Sequence, residues 1–365
     1  MAKKKSGGLL SSIRKFFYKG EYFDYPLLFV TLFLVAFGLI MIYSTSSYTA
    51  ELREGNPAYY LVRQGIFSVG RIVVMLIVSR LDYRVLKKFS MIYILVAIGL
   101  LLAVLFMGVA TNGSVRWIQI GPIQFQPSEV AKSAIAIYTA HICTIKAARI
   151  REWGVIGRIV VLPLITVALI AKENLSTGII CAAITVAIIF VTSPNVKQFL
   201  IIGGVAAGIM GIFLGIASYR LERIDIWLNP EKYDKGYQTL QALYAIGSGG
   251  LFGKGLGQSI QKLGFIPESH NDYIFSVICE ELGLFGAVCV IGMFVFLIWR
   301  CIIIAFNTED LFGALLVVGL TTHIAVQVLV NIAVVTNSIP PTGVPLPFIS
   351  YGGTAVVMVL FEMGL

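Results

Sequence analysis

Asp272 stands where a long polar stretch gives way to an apolar run, and a lone carboxylate at such a border can act as a general base. Partial burial would raise it toward neutral pH, which suits proton abstraction. An acid near a helix start is equally well a cap. Its acidic neighbours do not join it: on a helix Glu280 lies roughly 12 Å along the axis and Glu281 about 180° round it. A close two-carboxylate glycosidase pair is therefore excluded within this helix. Glu129 and Lys132 are three apart inside another apolar run, so both face one side and can pair. Such a pair either holds two helices in register or lines a cavity that meets substrate.

Three further segments could wall a site. The stretch 112–122, with Arg116 and Trp117, is rich in turn formers and reads as an interfacial hairpin. Gly247, Gly249, Gly250, Gly253, Gly255 and Gly257 surround Lys254, but Ser248 occupies the place of a Walker motif's first glycine and no strand precedes it. What remains is a flexible loop or a backbone concavity for a pyrophosphate. The segment 339–353 carries four prolines and cannot be regular helix, which at membrane depth requires packing in protein or a wet cavity.

The elements that must position these residues are set by composition. The chain is 58% hydrophobic and 13% charged, with repeated runs long enough to cross a bilayer. The expected fold is all-α, a polytopic membrane protein with ten spans at 25–44, 64–79, 89–109, 128–147, 155–171, 175–193, 197–217, 271–305, 311–335 and 347–365. The net charge of +9 follows membrane orientation, and nucleic-acid binding is excluded. Sixteen Lys and Arg fall in segments assigned inside and four in short loops assigned outside. Residues 1–24 are then a cytoplasmic tail, not a cleaved signal, and 25–365 one membrane domain with a large extracytoplasmic loop at 218–270. Arg71 falls within the second span without an assigned partner, and the eighth span is longer than a bilayer requires, so its first turns are expected in a polar cavity. The five cysteines lack ligand-like spacing and read as small buried hydrophobes.

Several ordered motifs then coincide: Arg116-Trp117, Phe125 to Glu129 with Lys132, Gly236-Tyr237-Gln238, Ala245 to Gly257, Pro267-Glu268 with Asp272, Glu280 to Gly283, and Pro345 to Gly353. In these the chain resembles the SEDS family (shape, elongation, division and sporulation), which includes FtsW, RodA and SpoVE, and it is more similar to the division and sporulation branch. The resemblance implies a peptidoglycan glycosyltransferase polymerising lipid II at the outer face of the bacterial cytoplasmic membrane, with a class B penicillin-binding protein transpeptidase and other divisome proteins as partners. It implies Asp272 as the catalytic acid residue, taking the proton from the acceptor 4-hydroxyl in a single inverting displacement. Substrate contacts are expected from Glu129, Lys132, Arg116, Arg223, Gln238, Lys254 and Ser350, with or without a divalent cation (Mg2+ or Mn2+) at the pyrophosphate. A lipid II flippase and a scaffold recruiting a transpeptidase are the alternatives. Lys172 to Ser176 departs from a Pro-Asp-Leu-Gly run common in the family, Asn271 and Tyr273 replace the usual Thr and Phe, and the chain is read as ending at its tenth span without a tail.

Overall fold

A computed structural model describes residues 23–111, 114–121, 123–193, 195–204, 224–233, 236–267 and 269–365. Nearly all of the expected tail, the seventh span beyond residue 204, Arg223 and Glu268 lie outside the described residues. The rest is built mainly from helices: α1 (Tyr25–Glu54), α2 (Tyr59–Val78), α3 (Val85–Met107), α4 (Pro127–Lys146), α5 (Trp153–Glu173), α6 (Leu175–Thr192), α7 (Tyr237–Ser248), α8 (Ile274–Asn307), α9 (Leu311–Val335) and α10 (Thr354–Gly364). Among the described residues seven of these, α1, α2, α3, α5, α6, α8 and α9, are long and apolar enough to cross a membrane. α4 carries Glu129 and Lys132 in its first half, and α10 has only 11 residues, about 16 Å.

Local chemistry sets the helix ends. The Asp24 carboxylate accepts from Leu27 N at 2.9 Å and Pro26 occupies the first turn of α1, while Gly55 closes it at φ 65°. Asp310 caps α9 by accepting from Gly313 N at 3.2 Å, and Asn174 caps α6 by accepting from Thr177 N at 3.2 Å. α9 is the central post: Ile324 and Val328 join a core with α1, α8 and α10, and Phe312, Leu315 and Leu316 join a second core with α3 to α6.

One expectation is refined and two need correction. The expected hairpin is a three-stranded antiparallel sheet, β1 (Val109–Thr111), β2 (Ser114–Ile120) and β3 (Ile123–Phe125), a small addition to a fold that is otherwise helical as expected. It is tied to α10 by Thr354 Oγ1, which accepts from Gln126 N and donates to Gln124 O, both at 3.2 Å. The expected span at 347–365 begins as irregular backbone: Pro347 and the positive φ of Phe348 (64°) accompany a stretch that becomes helix only at Thr354. That backbone is buried beside α1, where a Cβ on Gly38 would come within 2.7 Å of Ile349 Cα. Finally, α8 is broken at Gly283 (φ 68°, ψ −168°).

The break explains the glycine-rich loop. Lys254 N and Gly255 N donate to Glu280 O and Glu281 O at 2.9 Å, and Leu284 N and Phe285 N donate to Gly250 O and Leu251 O at 2.9 and 3.0 Å. The loop thus supplies backbone bonds that the interrupted helix cannot make for itself. Its amides at Lys254 and Gly255 are committed to α8, not presented as an anion cradle. The first turns of α8 accordingly stand under a docked loop, not in an open polar cavity.

Candidate active site

Asp272 ends a turn, 269–273, that leads into α8, and this turn is held from three sides. Ser269 Oγ donates to Thr45 O on α1 at 3.2 Å. Ser350 Oγ donates to Asn271 O at 2.7 Å and accepts from Leu346 N at 2.8 Å, while Tyr351 N donates to His270 O at 2.9 Å. On α9, Asn331 Nδ2 donates to Asp272 O and to Val344 O, both at 2.8 Å. The proline-rich segment and the Asp272 turn are therefore locked to one another by two buried side chains, Ser350 and Asn331. Tyr60, His270 and Tyr351 close that side with ring centroids 5.1 to 5.4 Å apart.

Arg116, on β2, is brought to Asp272. The point where a Cβ on Gly343 would sit lies 3.6 Å from Asp272 Oδ2 and 4.0 Å from Arg116 Nη1. Gly343, at φ 68°, puts no side chain at that point beside the carboxylate and the guanidinium. The backbone carbonyl of Glu173, inside the departing run Lys172 to Ser176, accepts from Arg116 Nε at 3.2 Å and orients the guanidinium. Asp272 and Arg116 are both only half-buried. Tyr273 beside them is buried.

Glu129 and Lys132 pair at 2.9 Å on α4, both nearly inaccessible. Lys132 Nζ also donates to Gln327 Oε1 at 2.8 Å, and Gln327 Nε2 donates to Pro345 O at 3.0 Å. Gln327 lies one turn of α9, about 6 Å, from Asn331, so the pair forms part of the floor beneath the Asp272 crevice. One turn further, His323 Nε2 is 2.9 Å from Gln327 Oε1 and Nδ1 is 2.6 Å from Glu362 Oε2. None of Asn331, Gln327, His323 or Glu362 was singled out from sequence. Their signal was present as polar residues four apart, 323, 327 and 331, in an otherwise apolar span.

The other expected contacts are elsewhere. Lys254 Nζ bonds Glu280 Oε1 at 2.7 Å, inside the loop clamp. Gln238 Nε2 donates to Pro267 O at 2.9 Å and braces the segment before Asp272. Ser350 is a staple between the crevice walls. Arg71 is buried in α2, its guanidinium 5.7 Å from the Phe67 ring, with Nε and Nη1 unpartnered. Among the described residues no three His, Cys, Asp or Glu are grouped to hold a metal ion. Among the described residues the crevice offers one carboxylate, Asp272, which by itself does not make a protein-built divalent site.

The chain as a whole, helix bundle and crevice walls included, is similar to known proteins. The family model described as "Cell cycle protein", covering FtsW, RodA and SpoVE, matches residues 25–365. The chain belongs to this family. It is 37% identical to a "Probable peptidoglycan glycosyltransferase FtsW" of Trichlorobacter lovleyi over 98% of this chain and 95% of the relative. It is 36% identical to "Stage V sporulation protein E" of Bacillus subtilis over 93% of this chain and 95% of that one. Among solved structures it is similar to a chain described under "Structural coordination of polymerization and crosslinking by a peptidoglycan synthase complex" (TM-score 0.78, 24% identity, 94% and 96% of the two chains). It is also similar to the rod shape determining protein RodA of Thermus thermophilus (TM-score 0.70, 24% identity, 95% and 96%). These likenesses extend the family's fold over nearly the whole chain.

Proposed function

We propose that this chain is a peptidoglycan glycosyltransferase that polymerises lipid II into β-1,4 glycan at the outer face of the bacterial cytoplasmic membrane, in cell division. The observation that carries the reading is the convergence of Asp272 and Arg116 on Gly343. Asp272 takes the proton from the acceptor sugar's 4-hydroxyl as that oxygen attacks the donor's anomeric carbon, and inversion needs only this one base. Arg116 faces the charge that develops on the departing undecaprenyl pyrophosphate; a guanidinium pre-set in a partly dry site supports such a leaving group. Lys132 lies beneath, paired with Glu129, and braces the floor, and Lys254, committed to Glu280, is left out of this step. The ligand set gives a divalent cation no protein cage, so no step is routed through one.

The same reading has ten spans, with the N-terminus cytoplasmic, residues 25–365 as one domain and 218–270 as the extracytoplasmic loop. The similar synthase complex is described as coordinating polymerization and crosslinking, which supports a crosslinking partner; the reading makes it a class B penicillin-binding protein transpeptidase, alongside other divisome proteins. Purified protein given lipid II tests the reading: glycan from wild type and none from Asp272→Ala is expected. Lipid II crossing the bilayer without glycan would make the chain a flippase, and neither activity would leave a scaffold.

A further inference from the structure

A second polar feature lies at the opposite end of the helix bundle from Asp272. A cavity of about 250 Å³, lined in part by Asp24, Ser79, Cys301, Thr321 and Glu362, opens beside the start of α1 and the end of α10. One polar atom among its lining residues, Glu362 Oε1, is buried and makes no hydrogen bond. Glu362 is only 2% exposed, and an uncompensated carboxylate oxygen at that burial calls for a donor from the cavity. The cavity is roomy enough for several waters.

The hydrogen-bond chain behind Glu362 fixes where protons sit. Gln327 Nε2 donates to Pro345 O, so Gln327 Oε1 is the atom facing Lys132 and His323. Lys132 can only donate to it, and His323 Nε2 meets the same oxygen, so Nε2 must carry a hydrogen. Across the ring, Nδ1 stands 2.6 Å from Glu362 Oε2, a separation that requires one proton between two lone pairs. The pair thus holds one labile proton beyond the one on Nε2, whichever of the two atoms it rides on. The charged and titratable groups around it are Glu129 and Lys132 on α4, Tyr93 on α3, Cys181 on α6, Cys301 on α8, and the Asp24–Arg300 ion pair (2.6 Å) at the cavity. Arg71 on α2 lies one turn from Met75, another lining residue.

We propose that His323 and Glu362 form a proton-binding site loaded with water and protons through this cavity, from the side of the membrane opposite Asp272. On unloading, the shared proton passes to cavity water, leaving neutral His323 with hydrogen on Nε2 and a Glu362 carboxylate. Two lone pairs then oppose one another, the contact opens, and Gln327 loses the donor that holds its amide against Lys132. His323 and Glu362 are in this sense positioning residues for Lys132, a link that rests on the polymerase reading of the crevice above it.

The full chain, reconstituted in one orientation in zwitterionic phospholipid vesicles, gives a test that needs no substrate. A pH step on the Asp24 side alone is expected to change the carboxyl bands of the infrared difference spectrum, and the same step on the Asp272 side to leave them unchanged. Glu362→Gln is expected to remove the change, and Thr321→Ile, which narrows the cavity while keeping the acid, to slow it at least ten-fold. Equal response from both sides, no response in wild type, a band that survives Glu362→Gln, or an unslowed Thr321→Ile each overturns the proposal. With lipid II present, wild-type glycan synthesis is expected to follow pH on the Asp24 side and His323→Gln to flatten that profile; an unaltered profile overturns the link to Lys132. Absence of glycan from wild type would sink the polymerase reading and leave the infrared result standing.

Discussion

The acids at the start of α8 divide into two kinds. Glu280 and Glu281 are fully buried: Glu280 bonds Lys254 at 2.7 Å, Ser259 Oγ, Ile260 N at 3.1 Å and Gln261 N at 3.3 Å. Glu281 bonds Lys262 and Ser44 at 2.8 and 2.7 Å and Ser259 N at 3.3 Å. Asp272 is half-buried, in irregular backbone, with a guanidinium beside the same point at Gly343. A carboxylate with saturated oxygens and no solvent holds structure together. One whose backbone is fixed by others while its side chain stands only half-buried at a crevice can accept a proton.

The largest expected effect separates these kinds directly. Asp272→Asn keeps size and removes the base, so glycan synthesis from lipid II should fall by about 10²–10⁴-fold while the thermal midpoint in detergent stays near wild type. Next, Glu281→Ala should cost about 3–5 kcal/mol in stability by stranding the Lys262 ammonium in a buried site, read as a lower midpoint with activity lost in proportion to unfolding. An Asp272→Asn variant that unfolds, or a Glu281→Ala variant that stays stable, would erase the contrast.

Gly283→Ala sharpens it from the backbone side. The residue sits at φ 68°, and a Cβ there would run into Gly253 N and the Leu251 carbonyl, so the loop must lift off the break in α8. The expected cost is about 1–3 kcal/mol, with faster proteolysis within 249–265 before any change in the α9 core.

How much of this could be read beforehand follows from the range of the forces involved. Hydropathy over about 20 residues is local, and α9 was expected at 311–335 and is found as Leu311–Val335. That Asp272 stands apart from Glu280 and Glu281 was legible because helix arithmetic separates them. The clamp was not, since Ser44 reaches Glu281 across 237 residues and Lys254 reaches Glu280 across 26, and no local pattern records such partners. Likewise the prolines at 340–347 announced irregular backbone, but not that it would run buried against Gly38 and leave α10 at half a span. Arg116 was expected beside pyrophosphate on charge alone; only the sheet shows why it reaches Asp272.

The smallest effect tests the walls of the crevice. Ser350 was expected to touch substrate, yet its hydroxyl is spent between Leu346 N and Asn271 O, and it is 1% exposed. Ser350→Ala removes one donor and one acceptor and leaves both partners unsatisfied, which costs about 1–3 kcal/mol. Because the lost bonds join the Asp272 turn to the proline-rich wall, the midpoint should drop by a few degrees and kcat should fall with Asp272 misplaced, KM for lipid II changing little. A residue that bound substrate would do the reverse, raising KM at an unchanged midpoint, and that result would move Ser350 from the wall into the site.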